Sequence, residues 1–398
     1  MKKLVSLTLV LVLCLAVLPS ALAFEIGEKV DVADPTYDNM TDAELYELAK
    51  KEGGTITVYS QTSTIGKAVE AFKADYPELS VEYYELGAAA QIEKVQIEGD
   101  SGNVVGDVLL MDDGLGVSYS ELYGDYLQAY YPADIVAHMD QSVLGAGLAA
   151  YDALNIWYYN TDQYPDGAPI KTWWDVLERD ENGNQKYLLY MPSITGNAQL
   201  AVFANLSSYS DELARVYEEE FGTPLEYTYD PTVVPVPENN AGYEFLYRLA
   251  QMKIGFIKDG DDIVQAVGQA PDICLGFCTA NKLDKAIKNS WPCAWVTKLA
   301  PYASMHNPKF LFLASKTDNP IGARLMVRYL MGGDTGSNGA MDAFYRLGTW
   351  FFRDDVTDTA NEIAITDIDT VPQNSGFIYD TYLDIRDFWT YWSDHFGQ

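Results

Sequence analysis

Two turns in this chain concentrate side chains that hydrogen-bond without reacting. Ser60, Gln61, Thr62, Ser63 and Thr64 stand consecutively, while Ser193, Thr195 and Asn197 are interleaved with Ile194 and Gly196. Hydroxyls and amides both donate and accept, so such turns suit an oxygen-rich solute. Neither turn sets a base beside a hydroxyl, as nucleophilic catalysis requires. The 398 residues include three histidines, His138, His306 and His395, in no metal-binding or acid–base pattern. Asp112 and Asp113 precede Gly114 and read either as bonds to ligand hydroxyls or a cation, or as a solvated turn. Tyr159 and Asn160 end the run Asn155–Asn160, where an aromatic clamp competes with core packing. Thr279 follows the apolar run Ile273–Phe277 and suits a helix N-cap. Two stretches are decoys. Asp334-Thr335-Gly336-Ser337 occurs once, where an aspartic protease needs two such carboxylates. Asp180–Asn184 opens like a calcium loop, but Gln185 and Met191 occupy its glycine and glutamate positions. No catalytic residue, metal site or cofactor is expected.

The elements that must hold these groups alternate along the chain. Thr41-Asp42-Ala43-Glu44 has the form of a capping box and opens a helix that stops at Gly53-Gly54. Thr55–Tyr59 is β-branched and apolar enough for a strand. Ile65, Ala68, Val69 and Phe72 then fall on one helical face. The Ser/Thr turn therefore lies between a strand's carboxyl end and a helix N-terminus, where open α/β sheets bind ligands. Strand patterns at 79–86, 107–111, 155–160, 187–191, 273–277, 294–299 and 310–314 alternate with helical ones at 88–98, from about 196, and at 244–252, 262–268, 281–288 and 320–330. This is an α/β pattern with largely parallel sheets, on a chain long enough for two domains. Trp173 and Trp174, after the capping residue Thr172, are expected in the core.

Composition removes other classes. The chain carries 26 basic against 58 acidic residues, a formal charge of −32. Nucleic acid, which demands a basic face, is excluded as a partner. Residues 1–23 have a charged start at Lys2 and Lys3, an apolar run and a small-x-small site at Ala21-Leu22-Ala23, so they read as an export signal with Phe24 as the mature start. A membrane anchor is the rival reading, against which Pro19, Ser20 and Ala21 favour cleavage. Cys14 invites lipidation, but apolar sequence continues past it. In an exported chain, Cys278 and Cys293 are the expected disulfide pair, leaving Cys274 over.

Several segments, in this order, resemble the solute-binding proteins of ABC importers, in the group of ferric-ion-binding and hexose-phosphate-binding proteins. They are Ala49–Ser60, Gly106–Leu110, Tyr158–Asp162 with Thr172–Leu177, Met191-Pro192-Ser193 and Val267–Ala270. The resemblance implies a two-lobed type 2 periplasmic-binding-protein fold, each lobe a mostly parallel sheet flanked by helices. Residues 24–153 plus 299–398 would form the first lobe and 154–298 the second. A small solute would lie in the cleft between them. A transient ABC permease partner and a monomeric state would follow. Ferric-binding relatives carry neighbouring tyrosines after the strand that here reads Ile273–Phe277, where this chain has Cys278-Thr279. That departure leaves iron or an iron chelate, with thiamine or a polyamine, as alternatives to an anionic solute bearing phosphate or carboxylate. An enzyme on this scaffold would use a first-lobe cysteine, and all three cysteines past the signal fall in the second.

Overall fold

The computed structural model describes residues 35–140, 143–144 and 147–397. The signal segment with Cys14, and the start of the acidic lead-in after it, lie outside these residues. Among the described residues no helix is long and apolar enough to cross a membrane.

Two separate sheets organise the chain. The first has the order Trp350–Phe351, Leu148–Asp152, Pro308–Ala314, Val108–Asp112, Thr55–Ser60 and Ser80–Glu85, with Leu127–Gln128 paired to Pro308–Ala314. Thr55–Ser60 runs parallel to both its neighbours, whereas Pro308–Ala314 is antiparallel to both of its own. The second sheet has the order Cys293–Trp295, Asn155–Asn160, Cys274–Thr279, Leu188–Met191 and Ile254–Phe256. Leu188–Met191 is parallel to both of its neighbours. The parallel blocks follow from the strand–helix alternation, since parallel neighbours need a crossover. The antiparallel strands enter where the chain crosses from one lobe to the other.

Each sheet has its own core. Val58, Leu110, Phe312 and Leu325 belong to the first, and Trp157, Trp173, Phe245 and Phe277 to the second. Trp157 meets Phe277 at 5.0 Å and Trp173 at 6.0 Å between ring centroids, with Trp173 and Trp174 buried as expected. The capping boxes form at both Thr41/Glu44 and Thr172/Asp175.

The C-terminal region differs from the expected division. The helix Ser375–Phe396 packs on the second core through Ile378, Ile385, Phe388, Trp389 and Trp392. Their spacing makes one apolar stripe, and Tyr243 and Tyr247 on helix Ala241–Leu249 provide the aromatic surface it needs. The chain around its start still reaches the first lobe: Gln373 Nε2, just before the helix, donates to Asp113 O at 2.8 Å and the Tyr379 hydroxyl to Glu121 at 2.5 Å.

Glu52 ties two first-lobe helices together. Its carboxylate accepts from the backbone N–H groups of Ile321 and Gly322 at 2.8–3.1 Å. Burial pushes its carboxyl from 4.5 up to about 7, against the opposing pull of those N–H groups. The unfolded chain therefore loses this proton first, and stability falls as pH rises from 4.5 to about 7. Glu52→Gln keeps an acceptor and removes the titration. Urea unfolding across that window should show a smaller fall for the variant than for the parent.

Candidate functional site

A cavity of about 530 Å³ lies between the lobes. Gln61 and Asp112 reach it from the carboxyl ends of first-lobe strands, and Gly87 to Ala90 from the start of helix Ala88–Ser101. Asn197, Ala198 and Ala201 face it from the start of the second-lobe helix Asn197–Ser208. Asn155, Met305 and Asn307 close it from the crossing segments.

Both helices open without a side-chain cap. Their N-cap residues are Gly87 and Gly196, which carry no side chain to spend on the first turn. The first-turn N–H groups of a helix have no intrahelical acceptor. Here two such sets, from opposite lobes, open on one cavity with alanine methyls between them. Partial positive charge at both ends favours an anion.

The one carboxylate in the lining is already balanced. Asp112 accepts from Lys309 Nζ and from Gln61 Nε2, each at 2.9 Å, while its own N–H donates to Gln61 Oε1 at 3.1 Å. Burial acts to raise the Asp112 carboxyl, but the Lys309 ammonium and the Gln61 amide outweigh it and hold it below its ordinary value. Asp112 is thus an anchored, paired charge, and the remaining polar lining consists of neutral amides.

The other expected residues are placed elsewhere or are already engaged. Ser60 and Thr62 stitch the turn: the Thr62 N–H donates to Ser60 Oγ and the Thr64 N–H to Thr62 Oγ1, at 3.2 and 3.3 Å. Thr62 and Thr64 also share a hydroxyl bond at 3.2 Å, and Ser63 is exposed. Asp113 accepts from the Ser118 and Tyr119 N–H groups at 2.8 and 3.1 Å, so it caps a turn. Burial pushes its carboxyl up to about 6. Ser193 and Thr195 pair with each other at 2.9 Å on the exposed approach to Asn197. Thr279 lies opposite Asn155 in the sheet, at the crossing end, and its hydroxyl donates to Asn281 Oδ1 at 3.0 Å. Tyr159 and Asn160 sit at the far end of the same strand, and Asn160 Nδ2 is consumed by Val267 O at 3.0 Å. Four and five residues of strand put them about 13 and 16 Å from Asn155.

The lining residues missed in the sequence are Gly87 to Ala90, Asn155, Ala198, Ala201, Met305 and Asn307, with Lys309 beneath. Gly87 to Ala90 carried a usable signal, a helix start following a strand, but no polar side chain drew attention to it. The crossing residues carried none.

The expected disulfide is absent: Cys274, Cys278 and Cys293 are free. Cys278 pairs with Ile156 and Cys293 with Asn160 on the shared strand. Four residues of offset, about 13 Å along the strand, exceed the reach of a disulfide. Among the described residues one grouping could hold a metal ion, the exposed His138, Asp354 and Asp355. It lies outside the cavity, and Arg353 already grips both Asp355 oxygens at 2.7 and 2.9 Å. A further cavity of about 500 Å³ beside Trp174 and Arg248 belongs to the second lobe alone.

The fold matches solved structures across most of the chain. Apo ferric-ion-binding protein A of Pasteurella haemolytica aligns with a TM-score of 0.61 at 13% identity, covering 86% of this chain and 98% of that one. Iron-bound HitA of Pseudomonas aeruginosa gives 0.60 at 14%, covering 86% and 99%. The periplasmic binding protein AfuA of Actinobacillus pleuropneumoniae, with fructose-6-phosphate bound, gives 0.56 at 12%, covering 86% and 99%. No protein-family profile and no curated protein matches the sequence. The fold is that of the two-lobed type 2 periplasmic binding proteins. These neighbours come from the group that the sequence resembles.

Replacing Lys309 with Met removes the charge that balances Asp112. The Asp112 carboxyl should then titrate at higher pH than in the parent, as read by carboxyl-carbon NMR.

Proposed function

We propose that this chain is the extracytoplasmic solute-binding component of an ABC import system, and that it captures a small anion bearing phosphate or carboxylate. The observation that carries this reading is the pair of uncapped helix N-termini facing one inter-lobe cavity. A ligand touching both lobes stabilises the closed form over the open one, which is how such a protein signals loading. The bound chain then docks transiently as a monomer on its permease. Export through the N-terminal signal places it where such a solute arrives. It binds and releases its ligand unchanged, since the lining holds no nucleophile with a base. Iron is the less favoured cargo: the cavity lining contains no tyrosine, histidine or unpaired carboxylate among its described residues. Thiamine and polyamines are likewise disfavoured, because the one lining carboxylate is already spent on Lys309.

A thermal-shift screen tests the reading with sugar phosphates, phosphonates, dicarboxylates, ferric citrate, thiamine and putrescine. An anion at 100 times its Kd should add about 2.7 kcal/mol to stability. Stabilisation by cations alone would overturn the anion assignment, and turnover of a hit would overturn the transport role. Ala89→Asp supplies a sharper check. It places a carboxylate on the exposed first turn of helix Ala88–Ser101, which favours the helix and repels an anion. Anion affinity should fall at least about tenfold with no loss of melting temperature in the unliganded protein.

A further inference from the structure

A second cavity, of about 830 Å³, lies behind the crossing segments. It shares no residue with the inter-lobe cavity. The division is made by strand alternation: Met305 and Asn307 face the first, and His306 between them lines the second. Its walls come from the edge strand Trp350–Phe351 and the following residues, from Ala137 to Asp140 just after helix Ala133–Val136, and from the return segment 364–370.

The walls are aromatic. Phe351 stacks on Tyr345 with ring centroids 5.7 Å apart and an interplanar angle of 21°. Phe352 stands edge-on to His306 at 6.2 Å. The charged lining is acidic: Asp140, Asp152, Asp354 and Asp358 against the single guanidinium of Arg353. That guanidinium is buried and committed to Asp355 and to the carbonyls of Met331 and Gly333. Asp152 is likewise committed, to His306 Nδ1 at 2.5 Å and the Asn307 N–H at 2.8 Å. Asp354 stands on the exposed rim, with one oxygen on His138 Nδ1 at 2.9 Å.

Flat aromatic faces attract cations, and an acidic rim adds a longer-ranged pull of the same sign. The volume is that of a small-molecule site. We infer that this cavity is a second ligand site, which takes a small organic cation with a flat apolar body. The apolar body lies against Phe351 and Phe352, and the ammonium faces Asp354. Its wall includes His306 and Asp152, which fasten the two crossings together, so an occupant also touches the segment that joins the lobes.

Isothermal titration of the purified full chain with phenethylamine tests this, with 3-phenylpropionate as a probe of similar body and opposite charge. Phenethylamine should bind saturably with one site, and 3-phenylpropionate at least about tenfold more weakly. Asp354→Asn, an exposed replacement, should weaken the amine several-fold, and Phe352→Ala should weaken it further. Asn197→Ala in the inter-lobe cavity should leave it unchanged. Unchanged melting temperatures for the variants show that the fold is kept. The inference is overturned if the amine fails to saturate by about 5 mM. It is equally overturned if the acid binds as tightly, or if Asn197→Ala abolishes binding and so moves the amine to the other cavity.

Discussion

The two lobes hang on one buried carboxylate. Asp152 ends a first-lobe strand just before the chain passes to the second lobe, and it is fully buried. It receives both His306 and the Asn307 N–H from the returning segment. Around it, Asn307 Nδ2 donates to Ala153 O at 3.2 Å, and the Ser304 hydroxyl to Asn155 O at 2.8 Å. A buried charge left without partners is costly, so the two crossings stay side by side through any lobe movement. Everything on either face of this double strand is positioned by it, including both cavities.

The inter-lobe cavity combines two economies of side chain. Gly87 and Gly196 leave helix ends uncapped, and Ala88 to Ala90, Ala198 and Ala201 leave room in front of them. The only formal charge nearby is cancelled within the protein. Such a surface offers donors through its backbone and shape through its methyls, and its polar side chains besides Asp112 are the amides Gln61, Asn155, Asn197 and Asn307.

The fold was legible because its signals are local. The capping box at Thr41, the cap at Thr172, the apolar faces of the 65–75 and 320–330 helices, and β-branched strands each show within a dozen residues. Of the residues expected at a site, Gln61, Asp112 and Asn197 are those that line the inter-lobe cavity, where it coincides with such a signal. The hydroxyls of Ser60, Thr62 and Thr64 are engaged within their own turn, because a turn must satisfy its own backbone before it can serve a ligand. Tyr159 and Asn160 misled because a strand has two ends, and sequence does not say which one meets the cleft. Asn155 and Asn307 were invisible because their role arises from two crossings, distant in sequence, meeting in space. The C-terminal helix was missed for the same reason: its apolar stripe shows a buried face but not which lobe buries it.

The antiparallel strand Pro308–Ala314 lies in the interior of the first sheet, between Leu148–Asp152 and Val108–Asp112. It is made only after every strand of the second sheet. During synthesis the first sheet therefore waits with a gap at its centre, exposing two unpaired strand edges and one face of its core. The second lobe, whose strands all fall within residues 155–295, faces no such delay in its sheet. The order of sheet closure is thus the reverse of the order of synthesis: the second sheet closes first, and the first is completed by the late strands Pro308–Ala314 and Trp350–Phe351. Non-local closure of this kind is slow and leaves sticky edges open meanwhile.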